Sequence, residues 1–172
     1  MKRGLLVTTI LILMSFISTK AQSPDELERR KGFKGIILGS QIEQYTDLVY
    51  KKDSKDKNIP DTRIYSRKSN TYTDIGGIEI LDLYVKVYRG TIYEIKVITE
   101  KNSKLAESLK TAFGTPNYSV RSGTYTWGSP SVSLSMISKG KSKFELIYLW
   151  TSIKKLVQKD RQQEINQISD DF

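Results

Sequence analysis

The strongest constraint on the fold is a pair of alternating segments, Ile78 to Tyr88 and Thr91 to Thr99, joined by Arg89-Gly90. Apolar side chains recur at alternate positions through much of both segments, which is the period of a β-strand with one buried face. A two-residue connection that ends in glycine suits a tight hairpin turn, because such turns need positive φ angles. The segments therefore predict an antiparallel hairpin with a hydrophobic layer against one of its faces.

The two faces of the first hairpin strand differ in character. One face is apolar and carries Leu81, Leu83, Val85 and Val87. The other face is mixed and carries Ile80, Asp82, Tyr84, Lys86 and Tyr88. Symmetric pairing about the turn predicts that Lys86 lies opposite Tyr93 on the second strand.

Three longer helices are predicted around these strands. Ser40 and Glu43 have the spacing of a capping box, so a helix is expected over 41–51. Asn102 or Ser103 begins a second helix, which Gly114 ends. The buried stripe of that second helix consists of Leu105, Leu109, Ala112 and Phe113. A third helix is expected over 152–168, because the residues from 151 onward are rich in helix formers.

Further strands are predicted near 33–38, 62–66, 124–127, 131–137 and 144–150. Alternation in the last three indicates one buried and one wet face, which is typical of antiparallel sheets. The fold class is therefore α+β: an antiparallel sheet with helices on one face and a C-terminal helix. Two helix-plus-strands repeats are a hypothesis within that fold. The chain divides into a signal peptide (1–21), a charged leader (22–32), one α+β domain (33–150, with repeats 33–99 and 100–150) and a C-terminal helix and tail (151–172).

The first 21 residues have the layout of a secretory signal peptide. Lys2 and Arg3 form a positive start, an apolar run extends from Leu5 to Ile17, and a polar segment ends at Ala21. The run is shorter than the roughly 20 residues of a transmembrane helix. We expect cleavage near Ala21 and a periplasmic or secreted protein with no stable transmembrane span after processing. An uncleaved anchor or a buried core segment is the alternative.

The 172 residues include neither Cys nor His. Disulfides, thiolate nucleophiles, Cys/His zinc sites and imidazole bases are therefore excluded. We predict no cofactor, because glycines such as Gly76-Gly77 are too sparse for a nucleotide-binding loop. We predict no metal site, because Asp53, Asp56 and Asp61 lack the spacing of a calcium loop and lysines lie between them. The net charge is +9, but export argues against nucleic acid as a partner and favours an envelope protein or a glycan. The oligomeric state stays open.

Several segments together resemble small exported bacterial α+β proteins. These segments are the secretory signal sequence, the strand-to-helix start GIILGSQIE, the helix stop LKTAFGTPN and the strands YTWGSPSVSLSM. The pattern over 33–150 is similar to beta-lactamase-inhibitor-protein-like repeats and to the small outer-membrane assembly lipoproteins. The chain lacks the lipoprotein Cys and the Cys pairs of the inhibitor group. The resemblance implies a binding role without catalysis and assigns no functional residues.

Four side chains on predicted strands are the candidate binding residues. Tyr84, Lys86 and Tyr88 share the mixed hairpin face, and Trp127 ends a later strand. Tyr and Trp beside a cation are frequent anchors of protein and sugar interfaces. The sequence therefore predicts a ligand or partner site at Tyr84, Lys86, Tyr88 and Trp127. The alternative is that a helix or the terminal segment covers this face and that its aromatic residues belong to the core.

Catalysis would have to rely on carboxylates. The symmetric hairpin register places Asp82 opposite Val97 and Glu94 opposite Val85, so these two acids are not expected to pair. We assign no catalytic residue and favour an exported, non-catalytic binding protein of the bacterial envelope. A carboxylate-dependent enzyme acting on a cell-wall or glycan substrate is the alternative, and two acids about 5–10 Å apart in a pocket would favour it. A structural component that assembles through its C-terminal helix is a third hypothesis.

Overall fold

The computed structural model describes residues 24–54, 56, 58–170 and 172. One antiparallel sheet dominates it, and three helices pack on that sheet. The helices are α1 (Pro24–Arg30), α2 (Ser103–Phe113) and α3 (Ile153–Asp170). The strands are β1 (Gly32–Phe33), β2 (Ile36–Ile37), β3 (Leu48–Asp53), β4 (Thr62–Arg67), β5 (Asp74–Ile75), β6 (Ile78–Tyr88), β7 (Thr91–Glu100), β8 (Asn117–Ser119), β9 (Thr124–Gly128), β10 (Val132–Lys139) and β11 (Lys143–Trp150).

The strand order in the main sheet is β3-β4-β6-β7-β11-β10-β9-β8, with β5 paired to β6. Strands β1 and β2 form a separate small hairpin. The predicted α+β class, with an antiparallel sheet and a C-terminal helix, is confirmed. The predicted signal peptide over 1–21 lies outside the described residues. Within the described part of the chain, no helix is long and apolar enough to cross a membrane.

The β6–β7 hairpin forms as predicted, but its register differs. Arg89 and Gly90 have φ angles of 45° and 87°, which give the tight turn. Tyr88 pairs with Thr91 next to the turn, but an irregularity then shifts the register by one residue. The predicted pairing of Lys86 with Tyr93 is therefore wrong.

The extra residue at this irregularity lies on β7. A bulge of this kind places two residues of one strand against one residue of its partner. It allows Ile92 and Ile95, which are three positions apart and would point to opposite faces of a regular strand, both to lie in the main hydrophobic cluster. Beyond the bulge, Asp82 lies opposite Ile98 rather than Val97.

The predicted helix over 41–51 is wrong. One 3-10 turn (Ile42–Gln44) and strand β3 occupy this segment. The Ser40 hydroxyl donates to the Ile37 carbonyl at 2.6 Å and lies 2.9 Å from the Tyr45 hydroxyl, so Ser40 does not cap a helix. Strand β3 instead pairs with β4 at one edge of the sheet. The described residues of 33–99 consequently include no α-helix, and their element order differs from that of 100–150.

The helices cover different faces of the sheet. Leu27 of α1 and Leu105 of α2 belong to the main hydrophobic cluster, together with the inward side chains of the central strands. Ile153 and Val157 of α3 instead pack with Tyr88 and Tyr93 in a second cluster. Because Val87 and Tyr88 are neighbours on one strand and belong to different clusters, α3 packs on the opposite face from α1 and α2. The predicted helices on one face of the sheet correspond to α1 and α2, and the predicted C-terminal helix, α3, packs on the other face.

Helix α2 begins and ends where the sequence predicts. The Asn102 side chain accepts a hydrogen bond from the Lys104 amide at 2.9 Å, and Gly114 follows the last turn with φ 82°. Leu105, Leu109 and Phe113 are buried beneath the helix. Only the first turns of α3 are buried in this way, and its far half is exposed to solvent. Helix α3 therefore leaves most of the sheet face on which it packs uncovered.

Candidate functional site

The four predicted binding residues do not form one surface. Tyr84 and Lys86 lie half-exposed on the open face of β6. Tyr88 is only 2% exposed and packs beneath α3, while Trp127 is only 4% exposed and belongs to the main core. Tyr88 and Trp127 thus present almost no surface to a partner, and the binding hypothesis rests on Tyr84 and Lys86.

Trp127 has a structural reason for its position. Its indole Nε1 donates a hydrogen bond to the Gly114 carbonyl at 2.8 Å, which joins β9 to the C-terminal end of α2. An indole N–H needs such a partner when its ring is buried. The Trp127 ring and its N–H group, which suggested a binding residue, therefore hold α2 against the sheet.

Tyr84 and Lys86 line a cleft on the open face, which we call the charged cleft. Its volume is about 320 Å³. Its lining residues come from five strands of the sheet and are Lys51, Lys52, Ile64, Tyr84, Lys86, Glu94, Lys96, Ile98 and Glu145. Four lysines and two glutamates give this lining an excess of positive charge.

Both glutamates of the charged cleft are paired with lysines. The Lys86 Nζ lies 3.1 Å from the Glu94 Oε2, across the hairpin. Glu145 is only 8% exposed, and its carboxylate lies 3.5 Å from the Nζ of Lys96 and 3.5 Å from that of Lys139. A carboxylate buried to this degree requires such partners. The ion pairs therefore fix the floor of the cleft rather than leaving free acids in it.

Tyr84 is oriented by its neighbours in the cleft. Its hydroxyl donates to the Asp82 Oδ1 at 3.2 Å and accepts from the Lys51 Nζ at 3.3 Å. The same Nζ lies 4.5 Å from the centroid of the Tyr84 ring, within the range of a cation–π interaction. The ring and two cationic side chains, Lys51 and Lys86, thus form a preorganised and accessible group.

Of the nine lining residues, the sequence interpretation assigned only Tyr84 and Lys86 to a binding site. Lys51 was expected at the end of a helix and Lys52 in the loop after it, whereas both lie on β3. Glu145 comes from β11 and reaches the cleft because β11 pairs with β7. The sequence does contain a sign that Glu145 belongs to a site, because it is the single acid in the apolar run Phe144 to Trp150. Its side chain points to the face opposite the core.

Metal ligands are not grouped in the described part of the chain, where no three Asp or Glu side chains are arranged to hold an ion. No family model, no curated protein and no solved structure matches this sequence. The function is therefore argued from the residues of the chain themselves.

Proposed function

We propose that this chain is an exported, non-catalytic binding protein of the bacterial envelope, and that the charged cleft is its contact surface. The observation that carries the proposal is the oriented Tyr84 ring on an open sheet face, next to Lys51 and Lys86. Export is supported by the positive, apolar and polar order of residues 2–21.

The expected partner is acidic. Lys86 and Lys96 are compensated by glutamates, whereas Lys51 and Lys52 are exposed and form no ion pair with any residue of the described ranges. These two lysines keep their charge available at the rim of the cleft, where it can steer an acidic partner. An envelope protein with an acidic surface is the first candidate, and an acidic glycan is the second.

The test is crosslinked capture from native envelope extract with the wild type and the double variant Tyr84→Ala/Lys51→Ala, read by mass spectrometry. A partner that contacts the cleft should be recovered by the wild type and lost by this variant. The matched control is Tyr118→Ala/Lys104→Ala, which removes an exposed tyrosine and an exposed lysine away from the charged cleft.

The control must retain the partner, and recovery should fall as salt rises. Equal recovery by all three proteins would contradict the assignment of the cleft. If no protein is captured, binding to an immobilised acidic glycan, compared among the same three proteins, decides the second candidate.

One observation favours the enzyme alternative: Glu94 and Glu145 line the same cleft. An enzyme would use them on a cell-wall or glycan substrate. The test is the release of reducing ends from purified cell wall by the wild type, Glu94→Gln and Glu145→Gln. Catalysis would be established if the wild type releases reducing ends and both variants release none. If the wild type releases none, the enzyme alternative is rejected and the binding function is retained.

A further inference from the structure

A second cavity, of about 490 Å³, lies on the other side of the molecule, between α2 and the β1–β2 hairpin. Its volume falls within the range of small-molecule sites. The apolar part of its lining consists of Phe33, Ile75, Leu105, Leu109, Ala112 and Phe113, and Tyr148 adds a hydroxyl. We call it the helix pocket.

Tyr148 gives the helix pocket a polar group at an otherwise apolar wall. The residue is only 4% exposed, and burial raises the pKa of its hydroxyl, which keeps the hydroxyl protonated. This hydroxyl makes no hydrogen bond to any residue of the described ranges, whereas every fully buried polar side-chain atom there has a partner. The hydroxyl must therefore reach accessible space, and the cavity that Tyr148 lines is the helix pocket.

Two cations lie among the lining residues, and none of the described lining residues is acidic. The Arg30 Nε is paired with Glu26 at 2.7 Å, but the two terminal nitrogens of Arg30 form no bond to the described residues. The Arg30 guanidinium carbon lies 5.5 Å from the centroid of the Phe113 ring. Lys34 is exposed in the turn between β1 and β2. The pocket thus combines an apolar interior, an unpaired hydroxyl and positive charge.

We propose that the helix pocket binds a small amphipathic carboxylate with an alkyl tail. The tail contacts Phe33, Leu109 and Phe113, which removes apolar surface from water. The carboxylate accepts hydrogen bonds from the terminal nitrogens of Arg30 and from the Tyr148 hydroxyl. A carboxylate suits these donors because charge-assisted hydrogen bonds to Arg are strong, and an apolar environment strengthens them.

The experiment is calorimetric titration of the purified full chain with decanoate, kept below its micelle concentration. Acetate serves as the head group alone and decan-1-ol as a tail without charge. We expect saturable binding of decanoate, weaker binding of decanol and none of acetate. Absence of saturable decanoate binding, or equal binding of decanol, overturns the proposal.

Two pairs of variants locate the site. Ser108→Trp places a large side chain at an exposed position that lines the pocket, and Thr111→Trp is the matched change on α2 outside it. Only Ser108→Trp should abolish decanoate binding, with both variants keeping the wild-type unfolding temperature. Loss in both variants, or in neither, contradicts the assigned pocket.

Tyr148→Phe tests the head group without removing packing. It should weaken decanoate binding about tenfold, since a hydrogen bond to a charged group is lost, while the unfolding temperature stays the same or rises. Arg30→Gln should weaken decanoate binding by a similar factor and leave decanol binding unchanged. Unchanged decanoate affinity in Tyr148→Phe would show that the hydroxyl contacts only water, and the carboxylate assignment would fall.

Discussion

Lys86 and Glu94 lie directly opposite one another on the central hairpin, and their Nζ and Oε2 atoms are 3.1 Å apart. This pair exists because the bulge at Tyr93 moves the register of β7 by one residue. Both side chains are mostly shielded, with 26% and 13% of their surfaces exposed. The register of the hairpin therefore determines which charged side chains pair on the floor of the charged cleft.

A double-mutant cycle should detect this pair. We expect Lys86→Ala and Glu94→Ala to couple by about 0.5–1 kcal/mol, the range of favourable cross-strand and partly shielded ion pairs. The measurement is urea unfolding of the two single variants and the double variant. The exposed pair Arg63 and Asp53, at 4.0 Å, is the control and should show almost no coupling. Equal coupling in both cycles would contradict the role of shielding.

Tyr84 and Tyr88 should differ sharply in their effect on stability. Tyr88→Ala removes a side chain that is 2% exposed, and we expect a loss of about 3–5 kcal/mol. Tyr84→Ala should cost less than about 1 kcal/mol, because its ring lies on the open face. Chemical unfolding of both variants makes the comparison. A large loss in Tyr84→Ala would mean that this ring belongs to the core and not to a binding surface.

Glu28 should make the stability of the fold depend on pH. Its carboxylate accepts hydrogen bonds from the Ser131 hydroxyl and amide and from the Ser129 hydroxyl, which lower its pKa from 4.5 to about 2. Because the pKa is lowered by folding, the stabilisation is present above about pH 4.5 and is lost as the pH falls toward about 2. We expect Glu28→Gln to be less stable than the wild type at pH 7 and to approach it near pH 2.

The control for this pH effect is Glu26→Gln. The pKa of Glu26 is also lowered to about 2, but by Arg29 and Arg30 on the same helix. These exposed partners are screened by solvent and are near Glu26 in the chain even before folding. Thermal unfolding from pH 2 to pH 7 should therefore show a smaller change for Glu26→Gln than for Glu28→Gln. The reverse order would contradict the tertiary origin of the Glu28 effect.

Arg89 should hold the middle of α3 against the hairpin turn. Its guanidinium contacts Asp61 at 3.1 Å, Asp160 at 3.8 Å and also Glu164. The buried contacts of α3, at Ile153 and Val157, lie only in its first turns. We expect Arg89→Ala to increase amide hydrogen exchange in α3 beyond residue 157 and to leave exchange in β7 unchanged.

Salt and a matched variant test this role of Arg89. Raising the salt to about 1 M, where the screening length is about 3 Å, should reproduce the effect of Arg89→Ala in the wild type. Arg161→Ala removes an exposed arginine from the same helix and should leave exchange unchanged. Faster exchange in Arg161→Ala, or none in Arg89→Ala, would show that these ion pairs do not hold α3.

The error at 41–51 shows why local sequence signals were insufficient there. Ser40 and Glu43 have the capping-box spacing, but the Ser40 hydroxyl contacts Ile37 and Tyr45 instead. The segment is too weakly helical to resist pairing with β4, whose backbone groups need a neighbour. That pairing depends on where β4 lies in the sheet, so residues 41–51 do not encode it by themselves.

The candidate binding residues divide for a similar reason. Alternation correctly placed Tyr84, Lys86 and Tyr88 on one face of β6, since the side-chain period of a strand is local geometry. Which part of that face is covered depends on α3, whose Ile153 and Val157 bury Tyr88 and leave Tyr84 open. Burial is a property of packing between distant segments, and no pattern within β6 could predict it.

The sequence alone determined the hairpin and its turn, the start and end of α2, the three later strands and the C-terminal helix. These elements follow from periodicity, caps and turn residues, which act over a few positions. Tertiary structure decided the register beyond the bulge, the strand at 48–53, the face taken by α3, and the meeting of Lys51, Tyr84 and Glu145 in one cleft. Those outcomes depend on which distant segments pack together and exclude water from their apolar surfaces. The free energy of this packing depends on the whole folded chain and not on any one segment.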